Sequence, residues 1–156
     1  MYKILFICYG NICRSPMAEM IFKDMIYKNN KRFLFKCESK ATSTEEYGNT
    51  IYYKAKKILE EHNILVEKHI VSIVTKKDYE LFDYIICMDY NNYNDLISIF
   101  GSDKEEKIKL LMSYTDNVEE IEDPWYTDNF DKVYNQIERG CQELMKKLVD
   151  EYYLTN

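Results

Sequence analysis

The chain lacks any apolar run approaching the roughly 20 residues that a membrane-spanning helix takes. It shows no secretory leader: the apolar residues after Met1-Tyr2-Lys3 are broken by Tyr9-Gly10-Asn11, so they read as a strand. Internal repeats, low-complexity tracts and linkers are missing too, so one domain over residues 1–156 is expected. Positive charge is in deficit, with 21 Lys and Arg against 27 Asp and Glu, a net charge of −6 and only three arginines. That balance argues against nucleic acid and against an anionic membrane as partners. No cluster of residues at metal-ligand spacing appears, so neither metal nor other cofactor is expected. Five cysteines is an odd number. Without a leader, they imply reduced thiols and a cytoplasmic protein.

What is present is organised around Cys8-Tyr9-Gly10-Asn11-Ile12-Cys13-Arg14-Ser15-Pro16. Ahead of it, Tyr2–Ile7 has the length and apolar composition of a buried strand. Behind it, Pro16–Ile26 carries apolar residues at helical spacing, with Ser15 placed to cap the helix and Pro16 suited to its first position. Strand, tight loop and helix N-terminus in that order make an anion cradle, because the loop N–H groups converge where the helix dipole is positive. Cys8 adds a nucleophile, effective only as thiolate, and an unperturbed thiol with a pKa of about 8.5 is mostly protonated at neutral pH. Backbone donors, the helix N-terminus and the Ser15 hydroxyl are the groups that lower such a value, at about 1.4 kcal/mol per unit. Arg14 supplies a planar fork for two oxygens of an oxyanion. Gly10 is expected to take the unusual dihedrals of the loop, and Asn11, tolerant of the left-handed region, to hold its shape by side-chain hydrogen bonds.

Further along, Asn29–Arg32 reads as a turn, Phe33–Glu38 as a second strand and Ser39–Asn49 as a polar loop. Ile51, Ala55, Ile58 and Leu59 put an apolar stripe on a helix ending near His62-Asn63. Thr75-Lys76-Lys77-Asp78 resembles a capping box, Asp replacing Glu, for a short helix to Phe82. Tyr84–Met88 is a third strand, Tyr90–Phe100 a helix stopped by Gly101, and Ile108–Met112 a fourth strand. A closing helix over about 129–153 places Phe130, Val133, Ile137, Cys141, Leu144, Leu148 and Tyr152 on one face. Gly140 within it costs about 1 kcal/mol against Ala, which a close packing contact would explain. Alternating strands and helices imply an α/β fold, a parallel sheet covered on both faces, with ligands at the strands' carboxyl ends, where Cys8 lies. Cys37, Cys87 and Cys141 read as core.

The C-x5-R-S spacing after a first strand resembles the phosphate loop of the low-molecular-weight protein tyrosine phosphatases. The resemblance extends to Ala41–Asn49, to Phe82–Asp89 and to Glu122-Asp123-Pro124-Trp125-Tyr126, in the family's order. It implies a four-stranded sheet in flavodoxin-like order. It also implies a metal-independent hydrolysis of phosphotyrosine and small aryl phosphates through a cysteinyl-phosphate. The family's roles then fall on Cys8 as nucleophile, Arg14 as transition-state clamp and Asp123 as general acid and base. Tyr9, Gly10, Asn11, Ile12, Cys13, Arg14 and Ser15 would hold the phosphate. His69, which on its own reads as a solvent-facing loop histidine, would support the loop with Asn11 and Ser15. Glu45, Tyr47, Trp125 and Tyr126 would wall the substrate pocket, although the family often carries an aromatic where this chain has Glu45. Cys13, in members with a second loop cysteine there, closes a protective disulfide on the nucleophile. Phosphotyrosine proteins or peptides are the expected partners, with inorganic phosphate and other oxyanions as inhibitors.

Three other readings compete. Arsenate reduction on this scaffold needs two further cysteines in one mobile segment, where this chain offers only Cys87. Phosphoarginine phosphatases resemble this loop but carry Thr in place of Ile12. A non-enzymatic phosphate-binding module has no use for Cys8 or Asp123, and both are present.

Overall fold

Successive residues of the first strand, β1 (Tyr2–Cys8), feed two different cores. Ile4, Phe6 and Cys8 face one side, while Leu5 and Ile7 face the other. That period of two across a continuous apolar run is the mark of a strand buried on both faces. In the computed structural model, which describes all 156 residues, β1 is followed by α1 (Arg14–Lys28), β2 (Phe35–Ala41) and α2 (Tyr53–Glu61). Next come α3 (Asp78–Leu81), β3 (Tyr84–Cys87), α4 (Tyr90–Phe100), β4 (Ile108–Leu110), a 3₁₀ turn (Leu111–Tyr114), α5 (Pro124–Thr127) and α6 (Phe130–Thr155). The four strands pair in parallel in the order β2-β1-β3-β4. With helices on both faces, this is the α/β architecture and flavodoxin-like order expected. No helix is long and apolar enough to cross a membrane.

The larger core lies under α1, α2 and α6, and its 31 buried residues against 9 on the α4 side put most of the apolar burial there. Gly140 of α6 marks the tightest point of that side. A Cβ built on it would stand 2.6 Å from Leu111 Cγ, so any larger residue would force Leu111 to shift. Helix α4 is fixed at both ends. Asp89 and Asn92 form a reciprocal capping box, and Gly101 closes the helix in the left-handed region at φ 86°.

Local details differ from the expectations. The second strand begins at Phe35, because Phe33 sits 54% exposed in the preceding turn. The fourth strand ends at Leu110, where the chain tightens into the 3₁₀ turn. Of the capping box at Thr75, the Thr75 N–H bond to Asp78 Oδ2 forms at 2.8 Å, but α3 itself starts only at Asp78, whose other oxygen holds Lys40 at 2.9 Å.

Candidate active site

Where β1 ends, the loop from Tyr9 to Cys13 turns back and α1 begins at Arg14, earlier than expected. Ser15 is therefore not a cap. It lies inside the first turn, fully buried, with its hydroxyl 3.0 Å from Cys8 Sγ. The loop's left-handed residue is Asn11 at φ 58°, while Gly10 stays outside that region. Asn tolerates that conformation through local polar contacts. Space does not require glycine at Gly10 either, since a Cβ there would stand at an ordinary contact distance of 3.5 Å from Glu46 Cγ.

Cys8, 3% exposed, is the floor of a pocket lined also by Tyr9, Gly10, Ile12, Cys13, Arg14, Glu45, Glu46, Asp123, Trp125 and Tyr126. Two backbone donors aim at its sulfur, Asn11 N–H at 3.2 Å and Ser15 N–H at 3.4 Å. The loop is braced from beneath by a directed set of side-chain bonds. Ser39 Oγ donates to Glu19 Oε1 at 2.6 Å and accepts from Asn11 Nδ2 at 3.0 Å. Asn11 Nδ2 also donates to Ser15 Oγ at 2.7 Å, which leaves the Ser15 proton free to point at Cys8. His69 is buried, not solvent-facing, and its Nε2 lies 2.8 Å from the Asn11 carbonyl oxygen. Glu19 and Ser39 escaped the sequence reading. Twenty residues separate them, and nothing local joins a helix carboxylate to a strand hydroxyl.

Arg14 is 2% exposed, and protein acceptors hold one edge of its guanidinium. Nη1 donates to Asp89 Oδ2 at 2.6 Å and to the Ile121 carbonyl at 2.9 Å, and Nη2 stands 3.6 Å from Asp123 Oδ2. Burial opposes the guanidinium's charge, but the sulfur of Cys8 and the carboxylates of Asp89 and Asp123 outweigh it, so its pKa is raised. With both Nη1 hydrogens used, Nη2 and Nε remain to grip an oxyanion. Asp89 was legible only as part of the family resemblance, with no role attached. Its partner is 75 residues away.

Asp123 caps α5, its Oδ1 accepting from Trp125 N–H at 3.1 Å, and Pro124 sits at the first helical position. That short turn lifts Trp125 and Tyr126, 51% and 80% exposed, beside the pocket. Tyr52 packs against the Trp125 ring with centroids 4.8 Å apart. On the other wall, Tyr9 donates its hydroxyl to Glu45 Oε1 at 2.9 Å. Tyr47 does not reach the pocket. It is 70% exposed in a turn closed by its N–H to the Thr44 carbonyl, and Glu46 lines the wall in its place. Cys13 is buried beside Cys8, and burial, with a smaller contribution from Cys8, pushes its thiol pKa up. Cys37, Cys87 and Cys141 are buried in the cores and likewise raised by burial.

The family model for low molecular weight phosphotyrosine protein phosphatases matches residues 3–153. A Gallus gallus protein of that name is 40% identical over 150 residues, covering 93% of this chain and 94% of its own. The crystal structure of YfkJ from Bacillus subtilis is similar with a TM-score of 0.93 at 35% identity, covering 97% of this chain and 96% of that one. A drosophila arginine phosphatase shares the fold at a TM-score of 0.84 and 31% identity, over 93% of this chain and 96% of that one.

Proposed function

The chain belongs to the low molecular weight phosphotyrosine protein phosphatases, and on that premise we propose how its own residues hydrolyse phosphotyrosine. The Cys8 thiolate attacks phosphorus in line while the loop N–H groups and the free edge of Arg14 hold the equatorial oxygens. Asp123 gives its proton to the departing phenolic oxygen as the P–O bond breaks, an effect worth about 10²–10⁴ in rate. Water then attacks the cysteinyl-phosphate. Asp123 takes the water's proton, the S–P bond breaks, and the electron pair returns to a sulfur that Ser15 Oγ meets at 3.0 Å. Arg14 and the backbone donors supply the positive field, so no metal takes part in the scheme.

The single observation that carries this reading is the convergence of two backbone N–H groups and the Ser15 hydroxyl on Cys8, under a mouth that holds Asp123. A nearly buried sulfur walled by Trp125 and Tyr126 supports a long, flat phosphorylated side chain over a short one. Phenols also leave more easily than alkanols. Phosphoarginine is the competing substrate, given the arginine phosphatase of the same fold. Ile12, which lines the pocket, offers no hydroxyl to a guanidinium, and this favours phosphotyrosine.

The deciding experiment compares kcat/KM on phosphotyrosine, phosphoserine, phosphothreonine, phosphoarginine and arsenate. Phosphotyrosine should lead phosphoserine by at least about two orders of magnitude, roughly 3 kcal/mol in the transition state. Inorganic phosphate and vanadate should compete, and EDTA should leave the rate unchanged. Comparable rates on phosphoserine, or better rates on phosphoarginine, would overturn the substrate assignment. Five buried, unpaired cysteines support a reducing, cytoplasmic setting, and the net charge of −6 supports protein partners over nucleic acid or anionic membrane.

A further inference from the structure

One wall of the pocket is acidic and carries no countercharge. After β2 ends at Ala41, the chain is tied to the loop beside it by Thr42 N–H to the Cys8 carbonyl at 3.1 Å and Ser43 N–H to the Tyr9 carbonyl at 3.0 Å. Glu45 and Glu46 are thereby fixed relative to Cys8, and both line the pocket. Each carboxylate is held by a neutral donor. Tyr9 Oη gives its proton to Glu45 Oε1 at 2.9 Å, and Asn49 Nδ2 donates to Glu46 Oε2 at 2.6 Å. Such donors orient a carboxylate without cancelling its charge, and each leaves one oxygen unused.

No Lys or Arg of the chain pairs with either residue. The one cation lining the pocket, Arg14, is at its floor and committed to Asp89 and Asp123. On the Trp125 side, Lys54 is already taken by Asp128 at 2.7 Å. This wall is therefore negative, pre-oriented and without a cationic partner, on a protein whose net charge already repels acidic peptides.

We propose that Glu45 and Glu46 are specificity-determining residues that select phosphotyrosine flanked by lysine or arginine and reject phosphotyrosine flanked by acidic residues. The proposal rests on the phosphotyrosine reading above and sharpens it to a substrate class. A flanking cation completes a half-made ion pair on each carboxylate, whereas a flanking carboxylate meets like charge. Partly exposed pairs of this kind are individually small and screened by salt. Together, the two should favour a basic over an acidic flank by about three- to tenfold in kcat/KM at low salt.

The test uses the full chain and two phosphotyrosine peptides identical except for Lys or Glu at the two positions on either side. Phenyl phosphate serves as a flankless reference. In the wild type, the basic-to-acidic ratio of kcat/KM should be about three to ten at low ionic strength, and should fall towards one at about 0.5 M salt. The ratio should collapse in Glu45→Gln/Glu46→Gln and invert in Glu45→Lys/Glu46→Lys. Because each ratio is internal to one enzyme, any change in a variant's overall rate cancels, and the salt dependence needs no variant at all. A wild-type ratio near one, or a preference that survives in the double Gln variant, overturns the proposal and leaves the phosphotyrosine reading intact. Turnover of phenyl phosphate with every phosphotyrosine peptide inert overturns both.

Discussion

Asp89 Oδ2 holds Arg14 Nη1 at 2.6 Å, and the same aspartate caps α4 through its other oxygen, which accepts from Asn92 N–H at 2.7 Å. One carboxylate thus fixes the Arg14 guanidinium to the helix that follows β3. Charged hydrogen bonds of this kind contribute about 1.5–3 kcal/mol, so Asp89→Ala should lower kcat/KM on aryl phosphates by about 10–100-fold and weaken inhibition by inorganic phosphate in parallel. Asp89→Asn, which keeps an acceptor and a good cap, should recover most of that loss. A drop in thermal stability with catalysis and phosphate binding within twofold of wild type would reduce Asp89 to a helix cap.

Asp123 caps α5 and, in the proposed mechanism, is also the general acid, and substitution separates the two roles. Asn in its place preserves the α5 cap on Trp125 N–H but has no proton to give. Asp123→Asn should cost about 10²–10³ in kcat on phenyl phosphate and much less on p-nitrophenyl phosphate, whose leaving group needs little help. Phosphate inhibition should stay near the wild-type level. An equal loss for both leaving groups would mean that Asp123 only shapes the mouth.

The fold was readable wherever the signal is local. The strand at Tyr2, the helix over Tyr90–Phe100 with its Gly101 stop and the buried face of α6 follow from short-range pattern and packing. Around the catalytic loop, the residue types were legible but their geometry was not. Ser15 looked like a cap because Ser before Pro usually is one. Here its hydroxyl is drawn to sulfur and Asn11 instead. Gly10 looked like the flexible residue, yet Asn11 takes the left-handed position because its side chain is held on both sides by serines. Phe33 is as apolar as its strand neighbours, and only the pairing of Tyr2, the first residue of β1, with Phe35 decides where β2 starts. The supports of the site, Asp89 for Arg14 and Ser39 with Glu19 for Asn11, join residues distant in sequence and leave no local trace.

Cys13 carries the redox prediction. Mild peroxide should inactivate the enzyme reversibly as Cys8 is oxidised to a sulfenic acid and Cys13 displaces its hydroxyl to close a disulfide, with water leaving. Only the Cys13 thiolate does this, and burial raises the Cys13 pKa above the ordinary thiol range, so the thiolate fraction at neutral pH is small. The rate of bridge formation should therefore keep climbing with pH beyond about 9, instead of levelling near an ordinary thiol pKa of about 8.5. Peptide mapping across pH reads it directly. If thiol reductants rescue peroxide-treated Cys13→Ser as fully as wild type, Cys13 is only packing.

Gly140 offers a stability check independent of the chemistry. Ala in a helix interior normally gains about 1 kcal/mol over Gly. Here the new methyl would stand 2.6 Å from Leu111 Cγ, so overpacking of about 1–3 kcal/mol should win. Chemical denaturation should show Gly140→Ala neutral to less stable by about 2 kcal/mol. A clear stabilisation would mean that Leu111 moves aside freely.

The account turns on Cys8 becoming covalently phosphorylated. The direct measurement is acid-quench mass spectrometry of the peptide containing Cys8, taken during turnover of phosphotyrosine and again in Cys8→Ser. One phosphoryl group on Cys8 should appear within the first turnover, decay as substrate is exhausted, and be absent from the Ser variant together with all activity. A wild-type enzyme that turns over at full rate with no phosphoryl group trapped on Cys8 at any time point, or with the group on another residue, would contradict it.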